Sequence, residues 1–487
     1  MLRKYILSGI LAVFSLVAFS QQSQTLYFMD RLPQANLVNP ARQLDCKFRF
    51  SGLVIPVAGQ LLPAMHTNMG SNGFAYQDMI QYNSSMDSLL NPLSPGYDFT
   101  QILSQLRDVN FVTMEEHLDI ISFGMKWKNG WDFTYNLSNK TESRFTFSKD
   151  IMQFIADGGN GDTFSGNTMQ VGKFGVTAVN YHEMAFGASK KINNQWTIGA
   201  KAKLLFGQQN IWSKKTDITW HTDANTYDYY FTADMEIRTS QSFYQINDLY
   251  YDYNNDTLIF EGEDLEPSVS QTIFRFDNPG VAIDLGAEYK LNNKINLYAS
   301  LIDLGFIHWK NNTNVFTVTG DYIWDGYNIQ PAMVNDSVVD EYNTEIKQDI
   351  IKIFFPDRQV DAYNAPLTPK FYVGGTYKFN NWINGGLLYR GAVFQDQLHS
   401  SLTLSGNTEI TKWLSANLSY SMMYNSYVNM GIGLVAKAGF AQFYIVTDNI
   451  WGEFFPYNTR NINMRMGINL IFGCKKEASH TLVGNSE

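Results

Sequence analysis

Two cysteines in 487 residues are too few for a disulfide framework, and they stand near opposite ends of the chain, at Cys46 and Cys474. Two free thiols are the leading expectation; a bridge across the ends is the alternative, because an exported chain folds in an oxidising compartment. Long apolar runs are scarce too. Beyond the first twenty residues none approaches the roughly 18 consecutive apolar residues that a membrane-spanning helix needs. Basic charge is short, with 36 Lys and Arg against 46 Asp and Glu and a formal net charge of −10, which excludes the footprint of a nucleic-acid binder. The seven histidines show no H-E-x-x-H or other metal spacing, and no Ser, His and Asp or Asn share one strand face. Neither a cofactor, a metal nor an enzymatic activity is expected, and a membrane hydrolase assembled from separate strands ranks third among the functional readings.

What the chain does hold is aromatic residues, 34 Phe, 28 Tyr and 10 Trp, set in stretches of strict alternation. In the clearest, Ile121, Phe123, Met125 and Trp127 point one way while Ser122, Gly124 and Lys126 point the other; after Lys128-Asn129-Gly130, Trp131, Phe133, Tyr135 and Leu137 alternate with Asp132, Thr134, Asn136 and Ser138. A period of two sends each set to one face of a sheet. One bulky aromatic face and one small or charged face suit lipid outside and water inside. The start of the chain agrees: Arg3 and Lys4, an apolar stretch from Ile6 to Phe19, and Ala18-Phe19-Ser20 read as an export signal cleaved before Gln21, with no lipid-anchoring Cys after it.

Short turns recur at Lys128 to Gly130, Lys191 to Asn194, Asn292 to Lys294, Asn380 to Asn381, Ile410 to Lys412 and near Ala438, and mostly far longer connections lie between them. With an opening strand around Lys47 to Ile55 and a closing strand Asn461 to Gly473, six hairpins make about fourteen strands. That even number puts both chain ends on the periplasmic, short-turn side. Trp127, Trp131, Trp196, Trp382 and Trp413 flank the short turns, as an interfacial aromatic belt requires, and Trp309 is expected on the opposite belt. Helices are expected over Val338 to Phe354, capped by Asp336 or Ser337, and over Ser148 to Ala156; Lys214 to Thr222 and Thr226 to Met235 read as strand extensions above the membrane. The fold expected is therefore all-β: a transmembrane antiparallel β-barrel of about fourteen strands, with a lumen plug before it and long extracellular loops holding short helices. The domains are residues 1–20 as signal, 21–46 as plug, 47–473 as barrel and 474–487 as periplasmic tail.

Three stretches carry a family likeness: Leu26-Tyr27-Phe28-Met29-Asp30-Arg31-Leu32-Pro33-Gln34-Ala35-Asn36-Leu37-Val38-Asn39-Pro40-Ala41, Gly280-Val281-Ala282-Ile283-Asp284-Leu285-Gly286-Ala287-Glu288-Tyr289 and Leu301-Ile302-Asp303-Leu304-Gly305-Phe306-Ile307. They resemble an uncharacterised, domain-of-unknown-function family of Bacteroidota outer-membrane barrels. Its wider relatives include FadL-like long-chain fatty-acid transporters and the accessory barrels of type nine secretion and gliding. The resemblance implies a fourteen-stranded barrel whose N-terminal segment folds into the lumen, and an outer-membrane address. It implies no activity.

Other motifs weigh less. Gly431-Ile432-Gly433-Leu434-Val435-Ala436 matches a dinucleotide fingerprint but sits inside an alternating strand with no helix after it, so small lumen-facing residues explain it better. Asp157-Gly158-Gly159-Asn160-Gly161-Asp162 and the acidic loop from Asp248 to Glu266 offer oxygen ligands, yet solvated loops are the plainer reading. Lys201, Lys203, Asp284, Glu288 and Lys290 fall on the polar phase and are expected to line the lumen, since charge facing lipid costs about 2–4 kcal/mol near the midplane. Asn39-Pro40 would set a rigid turn in the plug. Along Ile295 to Trp309 the apolar phase shifts after Leu301, which calls for a β-bulge around Leu301, Ile302, Asp303 and Gly305. In FadL-like relatives such a break lets hydrophobic ligands leave sideways; a purely structural rim bulge is the plainer reading. The leading function is a barrel in contact with outer-membrane lipid that binds or passively passes a small hydrophobic molecule. Its rival is a docking barrel for another envelope protein.

Overall fold

The computed structural model describes residues 24–474 except 53, 56–58, 61–63, 86, 93, 158–163, 243, 253–256, 266–274, 327–335, 381, 395–396 and 424–425. The signal at 1–20, the tail after Cys474, Gly158 to Asp162, Asp256 and Glu266 lie outside the described residues.

Fourteen antiparallel strands close on themselves. They are β1 (Phe48–Ser51 and Ala64–Ser71), β2 (Val109–Lys126), β3 (Trp131–Ser148), β4 (Gly175–Lys191), β5 (Trp196–Thr222), β6 (Pro279–Lys290), β7 (Ile295–Trp309), β8 (Tyr363–Pro366 and Lys370–Lys378), β9 (Ile383–Phe394), β10 (Gln397–Glu409), β11 (Leu414–Met423), β12 (Ser426–Ala438), β13 (Ala441–Thr447) and β14 (Asn461–Phe472). Both parts of β1 pair with β2 and with β14, which completes the ring. Alternation decides which way each side chain points. On β6, Val281, Ile283 and Leu285 are 51%, 45% and 46% exposed on the outer face, while Ala282 and Asp284 are buried inside. An apolar exterior around a polar interior is the pattern of a transmembrane barrel.

One rim carries the short turns; Asn129, with φ +57°, and Gly130, with φ +78°, make the one between β2 and β3. The opposite, long-loop rim carries sheet beyond the wall. β5 runs 27 residues and pairs above β6 with Tyr229–Ser240, which pairs in turn with Thr313–Trp324. The expected extension over Thr226 to Met235 thus begins at Tyr229 and runs on to Ser240. Helix α1 (Lys149–Ala156) starts where the Ser148 hydroxyl accepts the Ile151 N–H, and α2 (Asp336–Phe354) lies on the Thr313–Trp324 strand. A third helix, α3 (Ile450–Phe454), follows β13.

Three expectations are corrected. The opening strand does not run unbroken to Ile55: Gly52, with φ +75°, turns the chain away beside the Asp119 carbonyl, opposite a bulge in β2, and β1 resumes at Ala64. Cys46 and Cys474 are not free thiols but disulfide-bonded. The register explains it, since Phe48 faces Phe472 and the cysteines stand two residues beyond each. Trp309 is not on an outer belt; it is fully buried, packed with Tyr181, Leu205 and Ile307, because its phase after the β7 bulge points inward.

Residues 24–44 pack against the inner side of the wall. Leu26, Tyr27, Phe28, Met29, Leu32 and Val38 cluster with Tyr298, Tyr372, Leu388, Val435 and Tyr444. Each large side chain so buried contributes about 1.5–3 kcal/mol. Polar groups pair as well: Thr25 N–H with Asp448 at 2.7 Å, Gln34 Nε2 with Asn469 at 2.8 Å, and the Ser300 hydroxyl with the Val38 carbonyl at 2.6 Å. Wall glycines make the room. A Cβ at Gly199 would strike the Pro40 carbonyl and one at Gly433 the Met29 sulfur.

Candidate functional site

Halfway up the lumen the polar phase turns from hydroxyls and amides to charge. Lys140 and Glu142 of β3, Glu183 of β4, Lys201 and Lys203 of β5, Asp284 of β6, Asp303 of β7 and Lys370 of β8 line one cleft with Leu37 and Val38 of the N-terminal segment. Asp303 is its hub, 2.5 Å from Lys203 Nζ, 3.4 Å from Lys370 and 3.8 Å from Lys140. Lys203 also reaches Asp284 at 2.7 Å and Glu183 at 3.5 Å; Lys140 meets Glu183 at 2.7 Å, and Lys370 meets Glu142 at 3.1 Å. Charges buried this deeply persist where they are held by others, as all of these but Lys201 are.

Asp303 owes its position to the β7 irregularity. Ile283 faces Leu304 whereas Leu285 faces Leu301, so β7 carries one extra residue against Asp284. Asp303 takes φ +61°, an uncommon conformation for a residue other than glycine, and donates its N–H to Asp284 at 2.8 Å. Leu301 faces Phe371, Ile302 is buried against the N-terminal cluster, and a Cβ at Gly305 would strike the Val281 carbonyl. On the other side of β7 the ladder to β8 lapses over residues 367–369, bridged by Leu367 N–H to the Gly305 carbonyl at 3.0 Å.

Of the sequence candidates, Lys201, Lys203 and Asp284 lie in the charged cleft. Glu288 does not; half-buried lower in the wall, it pairs with Arg42 at 3.1 Å. Lys290 is exposed at the short-turn rim as the last residue of β6 and does not line the lumen. Asn39 is buried, bonded to Tyr27 at 3.1 Å, and Pro40 rests over Gly199 and Gly286. Sequence reasoning missed Lys140, Glu142, Glu183 and Lys370. The first two continue the inward phase already visible at Asp132 to Ser138.

Above the charged cleft, toward the long-loop rim, a cavity of ≈ 780 Å³ opens. Lys370, Glu142 and Glu115 border it below, and Trp309, Ile307, Phe111 and Phe394 give it apolar walls. Leu367 to Pro369, the lapse in the β7–β8 ladder, form part of its side. Arg144 lies over the rings of Phe111 and Phe394 at 4.3 and 3.9 Å and donates to His399 Nε2 at 3.0 Å. Below the cavity the space narrows to ≈ 60 Å³ in the charged cleft; nearer the short-turn rim ≈ 110 Å³ remains between residues 28–31 and β9 to β12.

The chain is similar to the crystallised toluene transporter TbuX of Ralstonia pickettii, at 8% identity and TM-score 0.41 over 94% of this chain and 100% of that one. It is also similar to the toluene transporter TodX of Pseudomonas putida, at 9% identity and TM-score 0.37 over 93% and 97%, and to a Pseudomonas aeruginosa FadL homologue, at 8% and 0.38 over 91% and 95%. No curated relative matches it by sequence. A family model does, over residues 40–448, and by that match the chain belongs to the family of unknown function DUF5723.

Proposed function

We propose that the protein is an outer-membrane barrel that binds a small hydrophobic molecule in the lumen and passes it without chemistry of its own. The observation that carries this is the ≈ 780 Å³ cavity, of the size of a small-molecule site, with an apolar wall of Phe111, Ile307, Trp309 and Phe394 among charged residues such as Arg144 and Lys370, and with the β7–β8 lapse in its side. Residues 24–44 act as the plug, and both chain ends lie in the periplasm, since short turns belong to that rim. The lapse beside Asp303 and Gly305 is the lateral way out. The test is uptake of a hydrophobic probe by vesicles holding the purified protein, with a disulfide engineered between β7 and β8 near the lapse. Uptake should occur and should stop on oxidation; no uptake at all overturns the reading, and uptake undiminished by oxidation confines the bulge to structure. Orientation is tested separately. A tag at Asp264 should be reached by antibody on intact cells and one at Asn193 should not.

The sheet that stands beyond the wall, β5 with Tyr229–Ser240 and Thr313–Trp324, favours a second reading as a docking barrel in an envelope machine such as type nine secretion or gliding. A partner that co-purifies with the full chain but not with one lacking that sheet would favour it.

A further inference from the structure

Outward side chains of the wall are exposed, as Phe443 and Ile445 of β13 and Met466 of β14 are, yet two near the β13–β14 seam are not. Thr447, in phase with Ile445, is 4% exposed, and Ile462, in phase with Met466, is 8%, although the ladders of both strands run without a slip. What covers them is α3. Its Glu453 accepts from the Thr447 hydroxyl at 3.5 Å, and a Cβ at Gly452 would stand 3.3 Å from Ile462 Cγ1. A helix that buries outward residues lies on the outside of the barrel.

The chain reaches that place because β13 is short. Its 7 residues rise roughly 23 Å from the short-turn rim, less once the strand is tilted, whereas the apolar band of a barrel is about 25 Å tall. β13 therefore ends within the height of the band, and Asn449 turns the chain there, its side chain accepting the Gly452 N–H and donating to the Asn461 carbonyl at 2.7 Å. Asn449 and Glu453 face the wall. The rings do not: Trp451, Phe454, Phe455 and Tyr457 are each about half exposed or more, and Val428 and Met430 of β12, the strand α3 also adjoins, are exposed as well.

We propose that α3 and residues 455–457 form a lipid-docking surface, seated where acyl chains meet headgroups in the outer leaflet. In water these rings would be an uncovered apolar patch, whereas the interface suits a ring that is half apolar and half wet. The partner is the bilayer itself, because the patch stands at the height of the band and adjoins the outward side chains of β12 and β14. It supplies the outer aromatic belt that Trp309 does not. The proposal rests on the barrel standing in a bilayer and not on whether it transports.

The test is nitroxide accessibility in the full-length protein reconstituted into phospholipid vesicles, with a spin-labelled cysteine at Phe454, and with Leu285 on the outer face of β6 and Asn225 in an exposed turn beyond the wall as lipid and water references. Cys46 and Cys474 are bridged and take no label. Collisions with oxygen relative to a water-soluble nickel chelate should be severalfold more frequent at Phe454→Cys than at Asn225→Cys, and close to those at Leu285→Cys. A Phe454 ratio like that of Asn225 overturns the proposal while leaving the barrel in its membrane. A Leu285 ratio like that of Asn225 overturns the seating of the barrel and the proposal with it. Should a label at Phe454 disturb α3, Trp451→Cys decides by the same comparison.

Discussion

The two halves of the lumen are occupied differently. Toward the short turns the interior holds residues 24–44, packed against glycines, with the N–H of Thr25 and the amide of Gln34 donating to the wall and the Val38 carbonyl accepting from Ser300. Toward the long loops the interior is a cavity, and what separates the two is a layer of charge centred on Asp303. A fitted segment depends on shape, whereas an ion network depends on charge balance and loses pairing when one member is removed. If residues 24–44 are the proposed plug, they and the charged layer would give way by different routes, one by displacement of a segment and one by rearrangement of ion pairs.

Removing the N-terminal segment should have the largest effect. Deleting Leu26 to Ala41 should raise ion conductance in planar bilayers severalfold while leaving heat-modifiable barrel migration intact. Unchanged conductance would make the charged layer, not the segment, the seal. Next comes Asp303→Ala, which takes the shared carboxylate from Lys203, Lys370 and Lys140 but leaves them Asp284, Glu142 and Glu183, and should cost about 1–3 kcal/mol, read as a lower unfolding midpoint in detergent. A loss under 1 kcal/mol would mean that lumen water takes over the role of the carboxylate. A smaller change, Gly199→Leu, drives a side chain into the Pro40 carbonyl and should cost about 1–3 kcal/mol. It should also raise conductance part of the way to the deletion's value, because it dislodges the segment without removing it; no rise would mean the segment is held by its other contacts.

The wall was legible in the sequence and the interior only in part. Strands such as β3 announce themselves because every second residue from Trp131 to Leu137 is bulky and apolar, and turns such as Lys128 to Gly130 because Asn and Gly tolerate positive φ. The β7 phase shift after Leu301 was visible for the same reason. Asp303 as the hub was not, since its partners come from β3, β5 and β8, and nothing local records which inward charges meet across a closed ring. The β1 excursion was hidden because residues 52–63 are as apolar as a strand. Trp309 was misplaced by treating a tryptophan near a strand end as interfacial without following its phase through the bulge.

The smallest effect concerns the point where Gln24 and Thr25 meet the wall. Asp448, in the connection after β13, accepts the N–H groups of Gln24 and Thr25 at 3.2 and 2.7 Å. Burial pushes its carboxyl up to about 6, against the pull of those donors and of the Thr25 side chain. Glu453 of α3, also raised by burial, lies at about 7. A carboxyl raised on folding is a protonated group that the fold prefers, so its contribution is complete below the unfolded value near 4 and is lost as pH rises through the folded one. Stability should therefore decline between about pH 4 and 7, in two overlapping steps, the Asp448 step ending near 6 and the Glu453 step near 7. Asp448→Asn should flatten the lower step and leave the upper; Glu453→Gln should do the reverse. The unfolding midpoint followed across that range in both variants separates them, and a wild-type profile that is flat from about pH 4 to 7 would show that water reaches Asp448 and that the segment's start is not sealed from solvent.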